Sequence, residues 1–329
     1  MSTKFLIGIL GLSFIIGIHE VGHYVFARMC KVGVEIFSIG FGPVLWSRTD
    51  SRGTKWQICA IPLGGFVYPK DEEGKSFGLK YKEAGPIRGC LVAFAGPLFN
   101  FLTAIACLAG IAMFFGTARP STIIDQVEKN SPAFVANFSK GDKILSIDGK
   151  IIEKPQDFIA NLENSTVTLE RGGKKIEVLV KKPVSAQFGV NFKTEFDGTK
   201  LTLLPALKEA TLSVCESIKI FSTKIWGALI SCKITGPIGI VASAANAHEQ
   251  GPLAFILFIA AISVAVGATN LLPIPIVDGG RIIMFLVSWI IRRPVPEKVE
   301  TVLNYGSLVI IAAIFAIGFF VDIKGLIQK

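Results

Sequence analysis

The chain has 329 residues, 51% of them hydrophobic and only 18% charged, with a formal net charge of +9. Soluble globular domains carry about 25% charged residues, so the composition argues against an ordinary soluble domain and points to the membrane. The Lys and Arg are spread over loops without an aromatic-interleaved basic stripe, and no nucleic-acid partner is expected.

In chain order, the apolar residues form four runs: Phe5 to about Phe26, Gly89 to about Gly116, Leu253 to Ile291 with interruptions, and Ser307 to about Val321. Roughly 20 apolar residues span a bilayer, so transmembrane helices are expected over 1–27, 88–116, 252–292 and 307–329. The alternative for the first run is a cleaved secretory leader. His19, Glu20 and His23 lie inside that run, and no small-x-small site follows it, which argues against a leader.

Between the first two spans, residues 28–87 read as a β region associated with the membrane. Gly40, Gly42, Gly53, Gly64 and Gly65, with Pro43 and Pro62, would interrupt a helix repeatedly. Alternation in Ile36 to Ile39 and Lys55 to Ile58 suits strands, with a turn at Ser51-Arg52-Gly53. Phe37, Phe41, Trp46, Trp56 and Phe66 favour a hairpin dipping into the interface; a small cytoplasmic meander is the other reading.

After the second span, 117–184 reads as a soluble α+β domain. Strands are expected at Ser121 to Val127, Lys143 to Asp148, Thr166 to Glu170 and Lys175 to Val180, and a short helix at Pro155 to Leu162. Asp148-Gly149 and Arg171-Gly172-Gly173 are hairpin turns. Asn130-Ser131-Pro132-Ala133 with the run Lys140 to Gly149 resembles a PDZ domain, which implies a groove taking a peptide ligand as an added strand. A rigid spacer is the other reading of this domain. Residues 185–251 are expected to hold further strand to Leu204 and an amphipathic surface helix from Pro205 to Ile230, with His248 in a solvated outer loop.

Ten Lys or Arg lie between Arg28 and Arg88, and Arg292, Arg293 and Lys298 fall in an expected loop at 293–306. With four spans, the positive-inside rule makes both loops cytoplasmic and sets the PDZ-like domain on the outer face. Six scattered cysteines without a Cys-x-x-Cys pair imply neither a zinc knuckle nor a disulfide framework.

The chemistry centres on His19-Glu20-Val21-Gly22-His23. Positions four apart share a helix face, so both imidazoles reach one metal ion, with Glu20 beside that face to take a proton from water. Ionisable residues at the centre of a membrane helix cost about 2.5–3.5 kcal/mol each on insertion scales, and a bound cation offsets that cost. A structural pair bonded to other helices is the bland alternative. Catalytic zinc takes three protein ligands. The candidate third is Asp278, the only acidic residue in the third run, set between Pro273-Ile274-Pro275 and Gly279-Gly280, which break the helix around it.

His19 to His23, Gly96-Pro97-Leu98-Phe99-Asn100, Gly236-Pro237-Ile238-Gly239 and Asn270 to Gly280 together resemble the site-2 protease family. The match is to its bacterial regulator-of-sigma-E branch, whose membrane-associated β region is similar to Pro62-Leu63-Gly64-Gly65-Phe66-Val67. Two departures stand out: Val277 replaces the family's usual Leu before Asp-Gly, and the chain has room for about one PDZ domain where many relatives carry two. The resemblance implies Zn2+ held by His19, His23 and Asp278, with Glu20 as general base. Asn270 and Asn100 would contact a substrate main chain or the oxyanion, or else make helix–helix bonds. The implied activity is cleavage of single-span membrane proteins, anti-sigma factors or signal-peptide remnants, in the bacterial cytoplasmic membrane. A membrane-tethered PDZ adaptor without proteolytic activity is the competing function.

Overall fold

A computed structural model describes residues 3–70, 76–128, 131–153, 155, 157–158, 162, 164–180, 188–230, 236–293 and 295–327. The chain divides into two compact units, one formed by 1–110 and 204–329 and the other by 111–203.

The first unit is mainly helical. Helix α1 (Thr3–Met29) carries the first apolar run. Helix α2 (Pro86–Phe114) follows a single 3₁₀ turn at Tyr81–Glu83 and contains Pro97. With no N–H, Pro97 leaves one carbonyl of the helix ladder unpaired. Helices α4 (Leu203–Ile230), α5 (Pro237–Glu249), α6 (Pro252–Asn270), α7 (Asp278–Ile291) and α8 (Glu297–Ile327) complete the unit. Among the described residues, four stretches are long and apolar enough to cross a membrane: Leu6–Met29, Pro86–Phe114, Pro252–Asn270 and Lys298–Phe320.

These candidates equal in number the four expected spans, while several helix boundaries differ from the expected ones. The third apolar run is two helices, with the proline-rich stretch 271–277 between α6 and α7. The expected loop at 293–306 is mostly helix, because α8 starts at Glu297 and the Glu and Lys of its first turn are good helix formers. His248 lies in the last turn of α5, edge-on to Phe255 with ring centroids 5.7 Å apart, rather than in a loop. The Ala-rich run before it has ample helix propensity for that turn.

Between α1 and α2, strands β1 (Val34–Thr49) and β2 (Lys55–Pro69) form an antiparallel hairpin, longer than alternation alone indicates. Thr49 faces Lys55, and Val44 faces Cys59. Phe37 lies between Trp56 and Val67, and Ser38 between Gln57 and Phe66, so the segment 36–39 is flanked on both sides. Such a bend needs unusual backbone, supplied by Gly40 at φ 89° and Gly42 at φ 86°.

The hairpin is fastened to α1. Tyr24 packs edge-on against Trp56 at 4.8 Å and against Phe37 at 5.7 Å. Arg28 donates to Thr54 Oγ1 and pairs with Asp50 at 3.7 Å. Thr54 in turn donates to the Val34 carbonyl at 2.7 Å. Such aromatic pairs add about 0.5–1.5 kcal/mol each beyond area burial, enough to seat the sheet firmly beside the His-Glu-x-x-His helix.

The second unit is an antiparallel sheet ordered β7-β6-β4-β3-β8, built from β3 (Ala118–Val127), β4 (Lys143–Ile147), β6 (Ser165–Arg171), β7 (Lys174–Val180) and β8 (Val190–Phe196). The two-residue β5 (Lys150–Ile151) pairs with β4 after the Asp148-Gly149 turn. Helix α3 (Pro132–Val135) is capped by Ser131, whose hydroxyl accepts from the Phe134 amide. Four expected strands appear here, and β8 joins the same sheet beside β3. The core gathers Phe158, Leu162, Ile124, Ile144, Val167 and Leu169. Half of the helix expected over Pro155 to Leu162 falls outside the described residues.

Candidate metal centre

Helix α1 places His19 and His23 one turn apart on a single face, and the start of α7 brings Asp278 to them. Asp278 Oδ2 lies 3.1 Å from His19 Nε2 and 3.3 Å from His23 Nε2. The two Nε2 atoms are 3.1 Å apart. His19 and Asp278 are each only 6% exposed.

The backbone around Asp278 explains its reach. The stretch 271–277 folds closely over the first turn of α7. A Cβ at Gly279 would come 2.3 Å from the Leu272 carbonyl oxygen, and one at Gly280 would come 2.2 Å from that of Ile274. Only glycine allows that approach. It leaves the carboxylate in the first turn of a helix, where the dipole favours negative charge.

The donor set fits a divalent metal on chemical grounds. His23 Nδ1 lies 2.8 Å from the Val92 carbonyl, which can only accept, so the proton sits on Nδ1 and Nε2 carries a lone pair. Asp278 Oδ2 is buried without a well-formed hydrogen bond despite its short approaches. Lone pairs converging in a dry pocket repel one another unless a cation lies among them. Two imidazole nitrogens and one carboxylate oxygen match the three protein ligands of a catalytic zinc.

Glu20 stands outside this cluster, next in sequence to His19, and faces the sheet. A Cβ at Gly65 of β2 would lie 3.2 Å from Glu20 Cγ. Asn100 is brought to the cluster, with its amide 3.0 Å from His19 Nδ1 and no exposed surface. Asn270 is not joined to it by any bond among the described residues; its amide donates to the Val266 carbonyl of its own helix at 3.1 Å.

Gly96 is a functional position that side-chain chemistry alone does not single out. A Cβ there would lie 2.4 Å from His23 Nε2 and 2.6 Å from His19 Nε2, inside the space a metal would occupy. Its readable signal is the four-residue spacing to Asn100, which puts both on one face of α2. A second close approach, Gly22 against the Ala95 carbonyl with a Cβ distance of 2.4 Å, lets α1 and α2 come together.

The chain matches the family model for peptidase family M50 over residues 7–314. It is 34% identical to a protein of Rickettsia conorii that carries the provisional name of a zinc metalloprotease, over 92% of this chain and 94% of that one. A protein of Mesorhizobium japonicum with the same provisional name is 30% identical, over 95% of this chain and 96% of its own. Metalloprotease MmpA of Caulobacter vibrioides is 31% identical, over 88% of this chain and 87% of its own. Several apolar helices and this match agree on a membrane protein, and the chain belongs to peptidase family M50.

Proposed function

We propose that the chain is a zinc-dependent intramembrane endopeptidase of the site-2 protease type, which hydrolyses peptide bonds in the membrane segments of single-span proteins. The observation that carries this reading is the convergence of His19, His23 and Asp278, with Glu20 next to them on an apolar helix. His19, His23 and Asp278 hold Zn2+. When bound, the metal polarises the scissile carbonyl and acidifies water. Glu20 takes the proton from the attacking water and hands it to the leaving amine, a role that contributes about 10²–10⁴-fold. Asn270, half-buried at the end of α6, offers its remaining hydrogen-bonding capacity to the substrate main chain.

A membrane helix hides its carbonyls in its own hydrogen bonds and must unwind to be cut. The β1–β2 sheet beside Glu20 offers the unwound segment a strand to pair with. The sheet of residues 111–203 is PDZ-like and takes a peptide ligand on the outer face of a bacterial cytoplasmic membrane, as in the regulator-of-sigma-E branch. Substrates are then anti-sigma factors or signal-peptide remnants, and the process is regulated intramembrane proteolysis.

The test is zinc content and cleavage of a model single-span substrate by purified wild type and Glu20→Gln. About one zinc in each protein, with cleavage by the wild type alone, supports the reading. A wild type that binds the substrate but holds no zinc and cuts nothing replaces it with a membrane-tethered PDZ adaptor.

A further inference from the structure

One stripe of α2 serves both histidines. Val92, Gly96 and Asn100 are spaced four apart and so share a face. The Val92 carbonyl accepts from His23 Nδ1 at 2.8 Å. Gly96 leaves the space in front of both Nε2 atoms open. Asn100 closes the stripe, its amide 3.0 Å from His19 Nδ1.

His19 can present an Nε2 lone pair to a cation only while its proton sits on Nδ1, and that proton needs an acceptor. Among the described residues, the Asn100 amide is the group recorded within hydrogen-bond distance of Nδ1. With the amide nitrogen turned toward His19, the amide oxygen is left buried with no donor among the described residues, a desolvation cost that the opposite orientation removes. A half-turn of the amide exchanges the two atoms with little change in shape. The oxygen then accepts from Nδ1, and Nε2 is free for the metal. Asn100 has 0% exposure, so a substrate cannot touch it while α1 and α2 remain packed.

We propose that Asn100 is a positioning residue for His19, its amide oxygen fixing the imidazole tautomer and ring orientation that offer Nε2 to the metal. The proposal rests on the zinc reading and deepens it. It assigns the amide to a ligand of the metal rather than to the substrate.

The experiment measures zinc affinity, by competition with a chromophoric chelator, of full-length wild type, Asn100→Leu, Asn100→Ala and Asn100→Asp in detergent. Helical content is followed alongside. Groups that orient metal ligands change affinity by about 10–100-fold when removed. Asn100→Leu and Asn100→Ala are expected to weaken zinc by that factor. Asn100→Asp, which keeps an acceptor oxygen in place, is expected to bind close to wild type. Once zinc is saturating, KM for the model substrate stays unchanged in all three. Should Leu not fold, Ala removes the same acceptor without added bulk and decides the question. Wild-type affinity in the Leu or Ala variant overturns the proposal, and so does equal weakening in Asp and Leu, which would mean packing alone. A raised KM with unchanged zinc affinity also overturns it, returning Asn100 to the substrate. Failure of the wild type itself to bind zinc sinks the underlying zinc reading instead, and is recognisable because no variant then differs from it.

Discussion

Gly65 of β2 stands directly against Glu20 of α1: a side-chain carbon at Gly65 would fall 3.2 Å from Glu20 Cγ and 2.7 Å from the Ser38 carbonyl oxygen. The β1–β2 sheet is thus a wall of the same site as the proposed base. Tyr24, Trp56, Phe37 and Arg28 tie that wall to the helix that carries Glu20.

Gly65→Ala is therefore expected to shift the strand away from Ser38 or to turn Glu20 aside, since a backbone oxygen at 2.7 Å cannot yield cheaply. A displacement near 1 Å at a reacting group costs on the order of 10²-fold in rate. Cleavage of the model substrate should fall by about that factor while zinc content stays at wild-type level. Full activity would show that the sheet does not set the position of Glu20.

Gly96→Ala separates a metal pocket from a helix contact. Alanine is the better helix former by about 0.8–1 kcal/mol, so propensity alone predicts a neutral or stabilising change. The added methyl would instead sit 2.4 Å and 2.6 Å from the two Nε2 atoms, where a metal would lie. Zinc affinity should drop by at least the 10–100-fold seen on disturbing groups around metal ligands, with helical content preserved. Unaltered zinc binding would place the metal elsewhere.

Much of this arrangement is legible in the residues. His19, Glu20 and His23 fix the helix and its face, and Pro273, Pro275, Gly279 and Gly280 announce the break that delivers Asp278. Four apolar runs give the spans. What escapes is whatever depends on how two elements meet. Helix α5 has too few residues to register as a span, and its polar end with His248 reads as a loop. The start of α8 at Glu297 carries charges that resemble a linker. Strand β8 is separated from its partner β3 by some sixty residues, so its membership of the sheet is a long-range pairing that local alternation cannot express. Gly96 and the buried amide of Asn100 gain their meaning only from the α1–α2 approach.

In the second unit, Asp142 is fully buried and receives Arg171 in a fork, Nε to Oδ1 and Nη2 to Oδ2, both at 2.7 Å. Arg171 also donates to the Asn137 carbonyl at 2.7 Å, and the Ser139 amide donates to Asp142 Oδ2 at 2.8 Å. Arg171→Leu leaves a buried carboxylate without its cation. Breaking a fully buried pair costs about 3–5 kcal/mol. The Arg171 side chain is 34% exposed, so solvent screening reduces the cost to roughly 2–3 kcal/mol. For a unit of this size that lowers the midpoint of its thermal unfolding by on the order of 10 °C. Zinc content should not change, because His19, His23 and Asp278 all belong to the other unit. Limited proteolysis across a temperature series reads the first effect, and metal analysis the second. Loss of zinc would mean that the two units do not unfold independently.

The tip of the β1–β2 hairpin should respond to acid through Asp50. Partial burial pushes its carboxyl up, but it accepts from the Thr54 amide, the Trp56 indole and the Arg52 amide and faces Arg28, and these together hold it below the usual carboxylate range. A folded-state value below the unfolded one, near 3.9, means that the bonds contribute fully above that pH and are lost as pH falls through the folded value. The environment of Trp56 is thus expected to stay constant from about pH 8 to pH 5 and to change only below about pH 4. Fluorescence of a variant retaining Trp56 alone, with Trp46, Trp226 and Trp289 replaced by Phe, follows this directly. Asp50→Asn in that background removes the titrating group and should abolish the acid transition. A transition that persists in Asp50→Asn, or one centred near neutrality, would assign the change to another group and leave Asp50 with no part in holding the turn.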